Sequence, residues 1–261
     1  LRRSRRRGVH PSYAKRGVAT PPPSRTPAIL TRLTFADRKS LLLGTALAST
    51  LLLGSLLSPT RARAVVNDCA DPGPDAVSIS VSAPVICINT ETRNEPAVAY
   101  AITITTNGSD NYIYVNNSGS LIANNASGSA YGLLAYTHGE YSFIDIKNSA
   151  TITVTATPGG EAFGIYAATE FEHGPITAQN KAAIAATGYG AFGIYAYSLA
   201  DHNSINIVNS GPLTATGIRA AYGIHAHTRY KYSPIAITNS GDITATTSTL
   251  DLSAAYPVSA R

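Results

Sequence analysis

Every 29 to 32 residues this chain repeats itself. The string A-Y/F-G-I/L occurs four times, with its glycine at Gly132, Gly164, Gly193 and Gly223. A second string, N-S-G or a degraded form of it, places an asparagine at Asn117, Asn148, Asn180, Asn209 and Asn239. A fixed period of this length marks a solenoid, propeller or array and excludes an ordinary globular domain. Function on such a scaffold is to be sought in surfaces that stack, not in one converging pocket.

The internal spacing is tighter than the period. With the glycine as zero, Ala101 takes its place in a degenerate first copy and Pro257 in a broken last one. Twelve residues on stands an isoleucine each time: Ile113, Ile144, Ile176, Ile205 and Ile235. Four residues further comes the asparagine, and all length variation falls between it and the next glycine. Coils that stack must keep such a register, whereas loops need not.

Three short β-like segments fit each copy. The first alternates, as in Tyr222-Gly223-Ile224-His225-Ala226-His227. A period of two implies one buried face, which predicts that Tyr222, Ile224 and Ala226 point inward. The equivalents are Phe192, Ile194, Ala196 and Phe163, Ile165, Ala167. The second segment reads Ile205-Asn206-Ile207 and the third Leu213-Thr214-Ala215-Thr216, residues suited to a pleated surface. No segment carries a helical apolar stripe. The expected fold is therefore all-β: a right-handed parallel β-helix of about five coils of about 30 residues, three strands per coil. A propeller is the second choice, because its blades need four strands and roughly 40 residues. In a β-helix the asparagines form an amide ladder along the axis; the plainer reading makes each a surface turn residue.

Charge is divided sharply along the chain. Residues 1–64 hold 13 Lys/Arg and one acid, Asp37, while residues 65–261 hold 7 Lys/Arg and 14 Asp/Glu. The basic character belongs to the leader, so an acidic body is not expected to bind nucleic acid. Within the leader, 1–40 reads as a basic extension and n-region. Residues 41–64 read as the apolar run of a signal peptide, ending in the A-x-A pattern Ala62-Arg63-Ala64. The 17-residue run 41–57 also leaves open a retained anchor, at the short limit for a spanning helix. Cys69 and Cys87 follow directly, and in an exported chain such a pair favours a disulfide stapling an N-terminal cap, 65–96. Residues 97–261 form the repeats.

The strings A-Y-G-I-x-A and I-x-I-x-N-S-G-x-I-T-A-T resemble the passenger region of bacterial autotransporters. The leader and the early cysteine pair are similar to that family's exported N-terminus. The resemblance covers 65–261. It implies export and display outside the outer membrane by a C-terminal β-barrel, for which no alternating segments are present. The last copy stops mid-coil at Arg261, so the chain is expected to be an N-terminal fragment, meeting a membrane only through a missing barrel or an uncleaved signal.

No nucleophile triad, P-loop, zinc signature or glycine fingerprint occurs, and no cofactor is expected. One constellation comes from the register. Stacking sets Glu140, Glu172 and Asp201 in a row about 5 Å apart. Such carboxylates suit Ca²⁺, or the acid and base of a glycosidase, or no ligand at all on a solvated loop. Beside them run Asp110, Tyr141, His173, His202 and Tyr232. A second feature is the outward set Tyr166, Tyr195 and His225, beside Tyr136, Tyr197 and His227, which either binds sugars and partners or merely covers the sheet. The expected function is non-catalytic: adhesion or surface structure, with host or matrix molecules, glycans included, as partners. A β-helix polysaccharide lyase or glycoside hydrolase is the alternative.

Overall fold

The computed structural model describes residues 65–67, 69, 76–95, 98–248 and 255–261, all within the compact unit Leu57–Arg261. The expected extension (1–40) and signal segment (41–64) lie outside the described residues.

Among the described residues eighteen strands succeed one another and there is no helix. β1 (Val65–Asn67), β2 (Val77–Val81), β3 (Val85–Asn89) and β4 (Arg93–Glu95) come first. Triplets follow: β5 (Tyr100–Asn107), β6 (Ile113–Asn117), β7 (Leu121–Asn125); then β8 (Ala130–His138), β9 (Ile144–Asn148), β10 (Ile152–Ala156). Next come β11 (Glu161–Thr169), β12 (Ile176–Asn180), β13 (Ile184–Ser198), β14 (Ile205–Asn209) and β15 (Leu213–Thr228). β16 (Ile235–Asn239), β17 (Ile243–Thr247) and β18 (Ala255–Ala260) end the series.

Every pairing is parallel and joins a strand to its equivalent one coil away. Parallel pairing of repeats excludes a propeller, which belongs to the antiparallel architectures. The fold is a parallel β-solenoid with three faces. One is the sheet β1-β3-β6-β9-β12-β14-β16. The second holds β4, β7, β10, the first halves of β13 and β15, and β17; the third holds β2, β5, β8, β11, the second halves of β13 and β15, and β18. β13 and β15 turn the corner without a break, with a register shift at Gly188/Gly190. Of the copies that carry the glycine, these two have the shortest stretch from asparagine to glycine.

The solenoid makes about six turns, one more than the repeat strings suggest. The extra coil lies in the stretch expected as a cap. Val85-Ile86-Cys87-Ile88-Asn89 pairs residue for residue with β6, ending in Asn89↔Asn117. It keeps the four-residue spacing while lacking the N-S-G string.

Identical positions stack along the axis to make the core. Ile113, Ile144, Ile176 and Ile205 on the first face are at most 1% exposed. Leu121, Ile152, Ile184 and Leu213 meet them from the second face, and Leu133, Ile165, Ile194 and Ile224 from the third. Burying each such side chain contributes roughly 1.5–3 kcal/mol. The glycine frame has a steric cause. A Cβ on Gly164 would lie 2.2 Å from Ile184 Cγ2 and 2.5 Å from the Gly193 carbonyl oxygen, so a bare Cα is needed where the third face presses on the second.

The alternation breaks at this glycine. Gly164 faces Ile184, yet the next residue, Ile165, also sits in the core. Two successive inward positions place the preceding aromatic outside. Phe163, Phe192 and Tyr222, read from the sequence as inward, lie outside the core cluster, which Ala162, Ala191 and Ala221 fill instead; Phe163 and Phe192 are nonetheless buried and Tyr222 is partly exposed. Ile165, Ala167, Ile194, Ala196, Ile224 and Ala226 are inward as expected.

The asparagines form the ladder. Nδ2 of Asn89 donates to Oδ1 of Asn117 at 2.7 Å, and the same step runs 117 to 148, 148 to 180, 180 to 209 and 209 to 239 at 2.6–2.7 Å. The second Nδ2 proton goes to the carbonyl two residues on, at Glu91, Ala150, Ala182, Gly211 and Gly241. From Asn89 to Asn209 these side chains are at most 2% exposed. At the N-terminal end the buried Arg93 closes the ladder, its Nε donating to Asn89 Oδ1 at 2.9 Å and another nitrogen to the Cys69 carbonyl. Cys69 and Cys87 form the disulfide, both buried in the same end.

Candidate functional site

Two aromatic ladders run side by side on the outside of the third face. The first is Tyr131, Phe163, Phe192, Tyr222 and Tyr256, stacked ring on ring at 4.8–5.3 Å. The second is Tyr166, Tyr195 and His225, with both steps at 5.2 Å. The two meet edge to face, as in Phe163 against Tyr166 at 5.2 Å and Phe192 against Tyr195 at 5.3 Å. Each such pair adds about 0.5–1.5 kcal/mol beyond its buried area. The expected outward set is thus present, and sequence reasoning missed the longer ladder beside it. The signal was there, since an aromatic precedes the glycine in every copy.

The ring faces are occupied by one another. Phe163 and Phe192 are buried, and Tyr131, Tyr166, Tyr195, Tyr222 and His225 are partly exposed. Burial, then the neighbouring Tyr195 and Tyr131, holds the Tyr166 hydroxyl well above its ordinary value, and burial does the same for Tyr195 and Tyr131. Burial, aided by His227 and Arg261, pushes His225 down to about 4, and its Nδ1 is buried with no hydrogen-bond partner.

A third column comprises Tyr136, Ala168, Tyr197 and His227. Tyr197 stacks on His227 at 5.3 Å, but Ala168 separates Tyr136 from Tyr197. Tyr136 turns instead to Glu170, donating its hydroxyl to one carboxylate oxygen while His138 Nδ1 lies 2.7 Å from the other. The Tyr136 hydrogen bond, with His138, holds the Glu170 carboxyl below its usual range despite partial burial; burial, then Glu170, raises Tyr136.

The loop between the third and first faces carries the other constellation. Asp110, Tyr141, His173, His202 and Tyr232 all adopt positive φ, between 57° and 61°. For a side-chain-bearing residue this left-handed conformation is uncommon and costs roughly 1–2 kcal/mol. Repeated at one height, it aims the rings along the axis: Tyr141, His173, His202 and Tyr232 stack at 4.8, 5.4 and 5.3 Å. Glu172, His173 and His202, all exposed, bring their ligand atoms within 4.8 Å of one another. Of the carboxylates singled out for calcium, only Glu172 belongs to this group. Asp201 spends Oδ1 on the Lys231 backbone N–H at 2.8 Å, and the Glu140 carbonyl receives the Asp110 N–H. The sequence shows the column; it does not show the backbone conformation that swings the histidines toward Glu172.

On the first face Tyr112 stacks on Phe143 at 5.1 Å, and with Ile86 and Tyr114 they line a shallow apolar depression. Lys147 lies over the Tyr114 ring.

Fold and surface define the class of the protein: a parallel β-solenoid with aromatic and histidine ladders on its outer faces. No protein-family model, curated protein or solved structure matches this chain.

Proposed function

We propose that this chain is the passenger rod of an autotransporter-like protein, exported to the surface of a bacterial cell and adhesive there without catalysing a reaction. The observation that carries the reading is the double aromatic ladder, a continuous surface that repeats from coil to coil. Because its faces are stacked, a ligand meets the partly exposed edges of the tyrosines and of His225, which suits polyhydroxylated glycans of host or matrix surfaces. The leader pattern and the acidic body support export and argue for a partner other than nucleic acid.

The test is binding of the full-length chain to arrayed glycans and matrix proteins, with Tyr195→Ala/His225→Ala, which removes two rungs of the ladder, as the variant, its fold checked by circular dichroism. Saturable binding that falls about tenfold in the variant is expected, an amount equal to roughly 1.4 kcal/mol. A wild-type chain that binds nothing, or a variant that binds equally well, would overturn the proposal. Depolymerisation of an acidic polysaccharide, lost on Glu172→Ala, would establish the lyase or hydrolase alternative.

A further inference from the structure

We propose that Glu172, His173 and His202 form a binding site for a first-row divalent transition metal, with Zn²⁺ as the reference ion. The donor set is two imidazoles and one carboxylate, whose ligand atoms already lie within 4.8 Å of one another. On a tetrahedral ion with bonds of roughly 2.0–2.1 Å the ligands stand about 3.3 Å apart. To bind, the two imidazoles turn out of their parallel stack about exposed side-chain torsions, so that their nitrogens converge on the ion beside the Glu172 carboxylate. Nitrogen donors select zinc, nickel or copper over calcium, which takes oxygen.

The backbone beneath the site is held by hydrogen bonds. The buried Asn203 accepts the Gly174 N–H on Oδ1 and donates Nδ2 to the Phe171 carbonyl and to Ser198 Oγ. The Glu172 carbonyl receives the Tyr141 N–H at 3.0 Å, and the His202 N–H reaches the Lys231 carbonyl at 3.3 Å. Both histidines hold the left-handed conformation, φ 61° and 60°, and their rings are parallel to within 2° at 5.4 Å. Two imidazoles are thus presented side by side at strand spacing by a frame that does not have to order itself for binding, which lowers the cost of capturing an ion. Tyr141 and Tyr232 close the stack at either end, and the remaining coordination positions face water. Glu140 and Asp201, one coil to either side of Glu172, add negative charge that favours a cation.

Isothermal titration of the full-length chain with ZnCl₂ at neutral pH tests this, with CaCl₂ titrated separately. One zinc per chain at micromolar affinity is expected. His173→Asn and His202→Asn should each weaken it by more than the roughly 10–100-fold that loss of a mere outer partner costs. The double variant should abolish binding. Asparagine is chosen because it tolerates positive φ, so these variants keep the loop; unchanged far-ultraviolet circular dichroism checks that they do. His138→Gln, at the Glu170 pair, should leave zinc binding unchanged, and bound Co²⁺ should show visible absorption that the double variant loses. Equal zinc binding by wild type and double variant overturns the proposal, as does calcium binding without zinc binding.

Discussion

The most discriminating perturbation is removal of one rung from the asparagine ladder. Asn180 takes part in three hydrogen bonds of 2.7 Å: it accepts from Asn148, and donates to Asn209 and to the Ala182 carbonyl. It is 1% exposed, so water does not replace them. At about 1 kcal/mol net per bond, Asn180→Ala is expected to cost about 3 kcal/mol, and more where the Asn209 oxygen is left buried without a donor. Asn239 makes the same kind of contacts but is exposed, so Asn239→Ala should cost under about 1 kcal/mol. The assay is urea denaturation followed by circular dichroism, paired with hydrogen exchange, because stacked repeats need not unfold in one step. For a body of this size the larger loss corresponds to a melting shift of roughly 6–12 °C. If Asn180→Ala costs no more than Asn239→Ala, the amides are ornament and the ladder argument fails.

Other outcomes follow from the same geometry. Gly164→Ala should destabilise by roughly 1–3 kcal/mol, because its Cβ would overlap Ile184 Cγ2 and the Gly193 carbonyl; a neutral result in the denaturation assay would contradict the close packing of the two faces. Replacing Cys69 and Cys87 by alanine should cost about 3 kcal/mol for a loop of this size, and exchange should quicken around Val85–Asn89 before the distant coils. His225 has its pKa lowered in the fold, so the unfolded chain binds the proton more readily; its contribution is complete above about 6.5 and is lost as pH falls toward 4. His225→Tyr, which continues the ring stack of Tyr166 and Tyr195, should flatten the stability profile across that window, and an unchanged profile would refute the assignment.

The twelve-plus-four frame from glycine to isoleucine to asparagine was fully legible in the sequence, because stacked core positions cannot drift. What escaped was geometry at the corners. Counting by twos through Gly164 turns Phe163 inward, since a sequence does not announce that Gly164 and Ile165 face the same way. The first coil was hidden because Thr90 and Glu91 stand where Ser and Gly usually follow the asparagine, although its spacing is intact. At the loop, positive φ is uncommon for any residue with a side chain and least expected at Tyr141 and Tyr232. The carboxylates therefore looked like the chemistry of the column, and the histidines beside them did not.

The Asn ladder has a direction: every Nδ2 hands its proton to the coil that comes next, and Arg93 closes the starting end. Repeats this alike invite winding errors, because a strand such as Ile205–Asn209 resembles its neighbours closely enough to pair with the wrong one or a residue out of step. A slip of one residue would carry an amide off its height and leave both it and its intended acceptor buried and unmatched, at a cost of several kcal/mol. The asparagine column therefore works as a proofreading mark, accepting each new turn only when it arrives in phase.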